Sequence, residues 1–204
     1  AQAVDRNKGS YKWYNGAASP ENMPLFSTES TSNLWENLFV GVDVCNTALY
    51  YLGKEDLKPE YNDELRKTFI SQYHAVRALD YLFLIKRWGG VPIVKTPLSA
   101  DENFSNGERA SFAKCVDFII EDCDAAEAAY EKLGWFNGSP TYCPEISRSG
   151  LAAIRSQAAL YAASPLWAED FAGTEKYTWE RAAQITRKSL KDVLDHKGKL
   201  VDAQ

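Results

Sequence analysis

The sequence predicts an all-α fold, and three observations carry that expectation. Apolar residues recur at steps of three and four along five separate stretches, the period of a helix with one buried face. Gly or Pro stands just past the end of most of these stretches, where a helix is expected to stop. Strand-like alternation is missing beyond the short Val91–Val94 segment. At 204 residues, 45% hydrophobic and 25% charged, the chain can bury a sizeable core as one ordinary globular domain.

Residues 1–32 are rich in Ser, Asn, Gly, Pro and aromatics without a sustained period, and read as an irregular lead-in to a helical domain over 33–204. Asn33, with Glu36 at capping-box spacing, opens a helix over 33–52 that Gly53 closes. A second helix spans 62–88. Its apolar face reads as Leu65, Phe69, Tyr73, Val76, Leu79 or Asp80, and Phe83. From Tyr81 to Ile85 it is apolar all round, which implies deep burial. It ends in Trp88-Gly89-Gly90-Val91-Pro92, where Gly can close the helix and Pro prevents its continuation. The third helix, 109–133, has the cleanest stripe: Phe112, Cys115, Ile119, Cys123, Ala126, Tyr130 and Leu133. The fourth, 149–163, is dense in Ala, which lets neighbours approach closely, and Ser164-Pro165 breaks it. Thr178 caps a fifth helix over 178–196. The expected core includes Leu79, Phe83, Ile119 and Leu160. Small residues at helix contacts suggest tetratricopeptide-like pairs. Their starts are too uneven for a regular repeat of about 34 residues.

Composition narrows the function. A net charge of −5 and a pI near 5.2 argue against nucleic acid as a partner and against direct adhesion to anionic lipid. No signal peptide opens the sequence and no apolar run is long enough to span a membrane. A processed protein or an excised fragment would look the same. Cys45, Cys115, Cys123 and Cys143 show no zinc-binding spacing. Cys115 and Cys123 lie roughly 12 Å apart along one helix, too far to pair. These cysteines read as buried thiols, with Cys143 on a loop. His74 and His196 have no Cys or second His at ligand spacing, so no metal and no cofactor is expected.

Nothing in the sequence assembles catalysis. Nucleophile-elbow, Walker and dinucleotide-binding patterns do not occur. Glu121, Asp122 and Asp124 could suggest the acid pair of a glycosidase, but three neighbours on one helix read better as a solvated face. Arg77 is expected to pair with a carboxylate or helix carbonyls, and Trp88 to plug the core. The candidate binding residues are loop aromatics beside amides. Trp13 and Tyr14 precede Asn15, and Trp135 with Phe136 precedes Asn137. A ring with an apolar face and polar edges suits stacking on a sugar.

Several stretches in order resemble one family. They are Leu34-Trp35 with Asn46 further along the first helix, and the run from Gln72 through Pro92. Arg109-Ala110-Ser111 followed by Phe118-Ile119-Ile120-Glu121-Asp122 comes next, then Ala158 to Trp167 and Trp179 to Ala183. Together they resemble the SusD/RagB family, surface nutrient-binding lipoproteins of Bacteroidetes. Gln72 and Cys123 depart from the acidic residue and Leu common there. Members are usually twice this length or more and carry a lipid-modified N-terminal Cys, so the chain resembles an internal helical fragment of a longer parent. The resemblance implies a non-catalytic glycan or nutrient binder, surface-exposed at the outer membrane and held only through a lipid anchor absent from this chain. It also implies a SusC-like TonB-dependent transporter as partner. Two rival readings are a helical-repeat scaffold for proteins and an all-α glycoside hydrolase. Retention and cleavage on a glycan array separate the three.

Overall fold

Short polar side chains fix the helix starts. Asn62 Oδ1 accepts from Leu65 N at 2.7 Å, Ser111 Oγ from Lys114 N at 3.3 Å, Ser147 Oγ from Gly150 N at 3.3 Å, and Thr178 Oγ1 from Arg181 N at 3.2 Å. Each satisfies a backbone donor that the first helical turn leaves open. The computed structural model describes residues 34–54, 62–99, 108–134, 145–167 and 177–197. Its helices are α1 (Leu34–Leu52), α2 (Asp63–Trp88), α3 (Phe112–Ala129), α4 (Arg148–Ala162) and α5 (Trp179–Lys197). The described residues contain no strand: Val91–Val94 forms no ladder, although Ala110 N donates to Val91 O at 3.1 Å. The Asn33 cap and the 1–32 lead-in lie outside the described residues.

The helices alternate in direction. Arg66 at the start of α2 donates to Leu52 O at the end of α1, and Trp88 at the end of α2 meets Trp35 edge-on at 5.1 Å. Arg148 at the start of α4 donates to Leu133 O and Glu131 O just past α3. Each helix packs on the next, and α2 also touches α4. One core runs through the first four helices, from Leu38 and Val42 through Tyr81, Leu84 and Ile85 to Phe112, Ile119, Leu151 and Ala158. Small Ala159, Ala163 and Ala182 seal α4 to α5.

The α3 stripe is buried as the sequence expects: Phe112, Cys115, Ile119, Cys123 and Ala126 have no exposed surface. Two expected core residues are not. Phe83 is 38% exposed and Leu160 is 54% exposed. Leu65, Phe69 and Val76, read as the inner face of α2, are exposed too, while Leu79 is half-buried. The buried set of α2 is instead Ser71, Ala75, Arg77, Ala78, Tyr81, Leu82, Leu84 and Ile85, so the deep burial expected from Tyr81 to Ile85 holds at every position but Phe83. The reason is close packing. With α1, α3 and α4 around it, α2 turns Ser71, Ala75 and Ala78 to the contacts over its first two thirds, where Leu65, Phe69 and Val76 point outward, and buries the larger Tyr81, Leu84 and Ile85 toward its end. Ala158, Ala159 and Ala162 do the same in α4, which turns Leu160 to solvent.

The Gly-Gly stop works by conformation at one residue and by space at the other. Gly89 has φ 70°, and a Cβ there would meet the Trp167 ring at 2.6 Å. A Cβ on Gly90 would collide with the Ala110 carbonyl oxygen. Gly90→Ala is therefore expected to destabilise by about 1–3 kcal/mol or more through forced backbone movement. A thermal unfolding curve matching wild type would show that this approach is not required.

Candidate functional site

Beyond the stop, the chain forms a strap, residues 91–98, held by side chains rather than by a neighbouring strand. Tyr81 Oη donates to Pro92 O at 3.2 Å and accepts from Val94 N at 2.8 Å. Asn46 Nδ2 donates to Val94 O and Thr96 O at 3.0 and 3.1 Å, and Asp43 Oδ1 accepts from Leu98 N at 2.8 Å. Cys115 Sγ lies against both polar backbone groups of Val91. The strap thus reports the placement of α1, α2 and α3 at once.

The polar centre behind it joins three helices. Arg77 Nη1 donates to Asn46 Oδ1 at 2.6 Å, while Nε and Nη2 donate to the two oxygens of Asp122 at 2.8 and 2.6 Å. His74 Nδ1 lies 2.8 Å from Asp122 Oδ1. The pairing expected of Arg77 is present. The solvated face expected of Asp122 is not: this residue is 2% exposed. It follows Cys115 and Ile119 at helical spacing, so it belongs to the buried stripe. Burial pushes its carboxyl upward, but hydrogen bonds from Arg77 and His74, and their charges, outweigh that and hold it below the usual range. A carboxylate held ionised in this way is a structural acceptor, not a proton donor for catalysis. Asp124 and Glu127 instead take Arg155 of α4 at 2.7 and 2.9 Å.

Asp80 contrasts with Asp122. It sits half-buried against α1, where a Cβ on Gly41 would come within 2.6 Å of its carboxylate. Among the described residues no cation pairs with it, and burial pushes it up to about 6. Gln72 ties α2 to the residues just before α4. It donates to Ile146 O at 3.1 Å and accepts from Ile146 N at 2.7 Å, so one side chain satisfies both backbone groups.

Two concave surfaces stand out. A cleft of about 350 Å³ between α3, α4 and α5 is lined by the Arg155 ion pairs together with Ile185, Lys188 and Asp192. A groove of about 380 Å³ between α2 and α4 has an apolar floor of Leu79, Leu82 and Ile154, with Phe83, Lys86 and Gln157 along its edge. Lys86 Nζ donates to Gln157 Oε1 at 3.4 Å and lies 5.3 Å from the Tyr161 ring centre. Among the described residues no cluster of His, Cys, Asp and Glu is arranged to hold a metal ion. No described helix is long and apolar enough to cross a membrane.

The candidate residues Trp13, Tyr14, Asn15 and Trp135 all lie outside the described residues. The groove was not singled out from sequence. The signal for it is an excess of apolar residues on α2, more than one buried face can absorb, with Phe83, Lys86 and Arg87 within one turn.

Alternating helices, a side-chain-held strap and solvent-facing grooves define a helical binding module. The comparisons with known proteins place it further. The family model SusD-like_3, described as starch-binding and associating with the outer membrane, matches residues 2–132, and the chain belongs to this family. This is a family of non-catalytic binding proteins. A SusD-like protein of Bacteroides fragilis shares 24% identity over 83% of this chain and 28% of its own, with a TM-score of 0.61. A SusD superfamily protein of Parabacteroides distasonis shares 25% over 78% of this chain and 31% of its own, with a TM-score of 0.57. A laminarin-binding SusD-like protein shares 18% over 97% of this chain and 36% of its own, with a TM-score of 0.64. The chain therefore spans about a third of these relatives. No curated protein matches it.

Proposed function

We propose that this chain belongs to a surface-exposed protein, lipid-anchored at the outer membrane. In this reading it holds a glycan or other nutrient without cleaving it and passes it to a TonB-dependent transporter. The observation that carries the reading is the family match over residues 2–132, which includes α1, α2 with its Gly-Gly-Val-Pro stop, and all of α3. The committed state of Asp122 supports binding over hydrolysis, because its ionised carboxylate is tied to Arg77 and His74. The helices provide a scaffold, and the loop aromatics Trp13, Tyr14 and Trp135, with the Asn15 amide, provide sugar contacts.

The test is a panel of neutral glycans presented to the intact protein and scored for both retention and chain cleavage. Retention without cleavage is expected. Trp13→Ala or Trp135→Ala is expected to weaken it about fivefold, the equivalent of one stacking contact near 1 kcal/mol. Release of shortened sugars would replace this reading with that of a glycoside hydrolase. Retention of no glycan at all would leave the protein-scaffold reading in its place.

A further inference from the structure

Phe83, which the sequence places in the core and the structure places in solvent, lines the 380 Å³ groove between α2 and α4. Departures from the expected pattern concentrate where a surface is used. The groove has the composition of a ligand site: an apolar floor and a few polar groups converging at one end. Phe83 supplies ring surface at its edge, and Tyr161 lies one turn beyond Gln157, just past that end of the groove; each is 38% exposed. Lys86 Nζ stands between them, 6.0 Å from the Phe83 centre and 5.3 Å from that of Tyr161, and Arg87 Cζ lies 5.5 Å from Phe83.

The charge at this end is unbalanced. Arg77, Arg155, Lys67, Lys95 and Lys132 each face a carboxylate. Among the described residues Lys86 and Arg87 face none: Lys86 donates to the Gln157 amide and Arg87 Nη1 to the Phe83 carbonyl. The helix dipole favours cations in a last turn, but it does not call for exposed rings beside them. Glu145 also lines the groove, at its other end. Gln72 bonds to Ile146 and Lys86 to Gln157, so α2 and α4 run parallel. The start of α4 is then roughly 14 Å from Gln157 along the helix. Lys86 and Glu145 thus place opposite charges at opposite ends of the groove.

We propose that this groove binds a uronic-acid unit of a glycan. The pyranose face lies against Phe83 and Tyr161, and the carboxylate pairs with Lys86 and Arg87. In a uronate the carboxyl carbon is bonded directly to the ring. Stacking and ion pairing can therefore be made together by groups separated as these rings and cations are. Gln157 offers an amide to a neighbouring hydroxyl. The proposal rests on the glycan-binding reading and assigns that reading a substrate class and a second contact surface.

The test uses the intact protein with tetragalacturonate, its methyl ester and a neutral glycan that the protein retains, measured by calorimetry. Lys86→Gln with Arg87→Gln is expected to weaken tetragalacturonate about tenfold or more, while leaving the neutral glycan and the melting temperature unchanged. The methyl ester is expected to bind as weakly to wild type as the acid does to the double variant. Phe83→Ala is expected to weaken both forms. Equal binding of acid and ester, or no effect of the double variant, would overturn the proposal. Retention of neutral glycans with no tetragalacturonate binding would also overturn it and leave the broader glycan reading intact. Failure of every glycan would overturn both.

Discussion

Asp122→Ala is expected to destabilise the protein by about 3–5 kcal/mol, among the largest effects available in this fold. The loss is not one contact. It leaves the Arg77 guanidinium buried without its counter-charge, and removing one partner of a buried pair strands the other. Asn46 would still accept from Arg77, but an amide does not neutralise it. Replacing Arg77 and Asp122 together by apolar residues is expected to cost much less than Asp122→Ala alone. Urea unfolding of the three variants checks this. A double variant as unstable as the single one would mean that the geometry of the network, not its stranded charge, sets the loss.

The same network gives a signed pH dependence. Asp122 titrates below its usual value in the folded state. Its contribution is therefore fully present above the unfolded carboxylate pKa, near 4, and is lost as pH falls through the lowered folded value. Asp80 acts in the opposite sense. Its folded value is raised to about 6, so it opposes folding above that pH, and the penalty fades as pH falls from about 6 toward 4. Stability should thus rise between pH 7 and about 5 and fall below about 4. Asp80→Asn should remove the rise and leave the fall. A rise that survives in Asp80→Asn would assign it to another group.

Phe112→Ala is expected to cost about 3–5 kcal/mol. Phe112 has no exposed surface and stacks on Trp167 at 4.2 Å with an interplanar angle of 9°. Trp167 in turn covers Gly89, so the loss reaches the helix stop. Phe83→Ala, the same chemical change on a groove residue, should cost no more than about 1 kcal/mol. Chemical denaturation of both variants distinguishes the two environments. Comparable losses would mean that Phe83 is buried in the native protein.

The helices were legible because their signals are local. The Thr178 cap, the Gly89-Gly90 stop and the α3 stripe are each read from a short stretch of neighbouring residues, whereas the caps at Asn62, Ser111 and Ser147 came only from the structure. Facing was legible only where a helix has one apolar side. On α3 the stripe gave the buried set, apart from Asp122, whose charge masked its inward position. On α2 large residues occur on more than one side, and three neighbouring helices select Ser71, Ala75 and Ala78 for close contact before Tyr81, Leu84 and Ile85 enter the core. That selection depends on which helices meet, and no short window encodes it. The binding residues were least legible. Sugar contacts need only an exposed ring and an amide, a combination common enough that spacing does not single it out.

The buried thiols give this fold an internal clock. Burial pushes Cys45 and Cys123 from 9.0 up to about 12, so the reactive thiolate is scarcer by about a thousandfold than in an open chain. Cys45 lies on α1 next to the Asn46 pivot, and Cys123 lies on α3 next to Asp122. Alkylation at either position should therefore proceed in proportion to the fraction of time that helix is open, read by mass spectrometry without any label added to the protein. A glycan that braces α2 against its neighbours would slow both reactions in step. One that holds only an outlying loop would leave them unchanged, and the two modes of capture would be told apart by time alone.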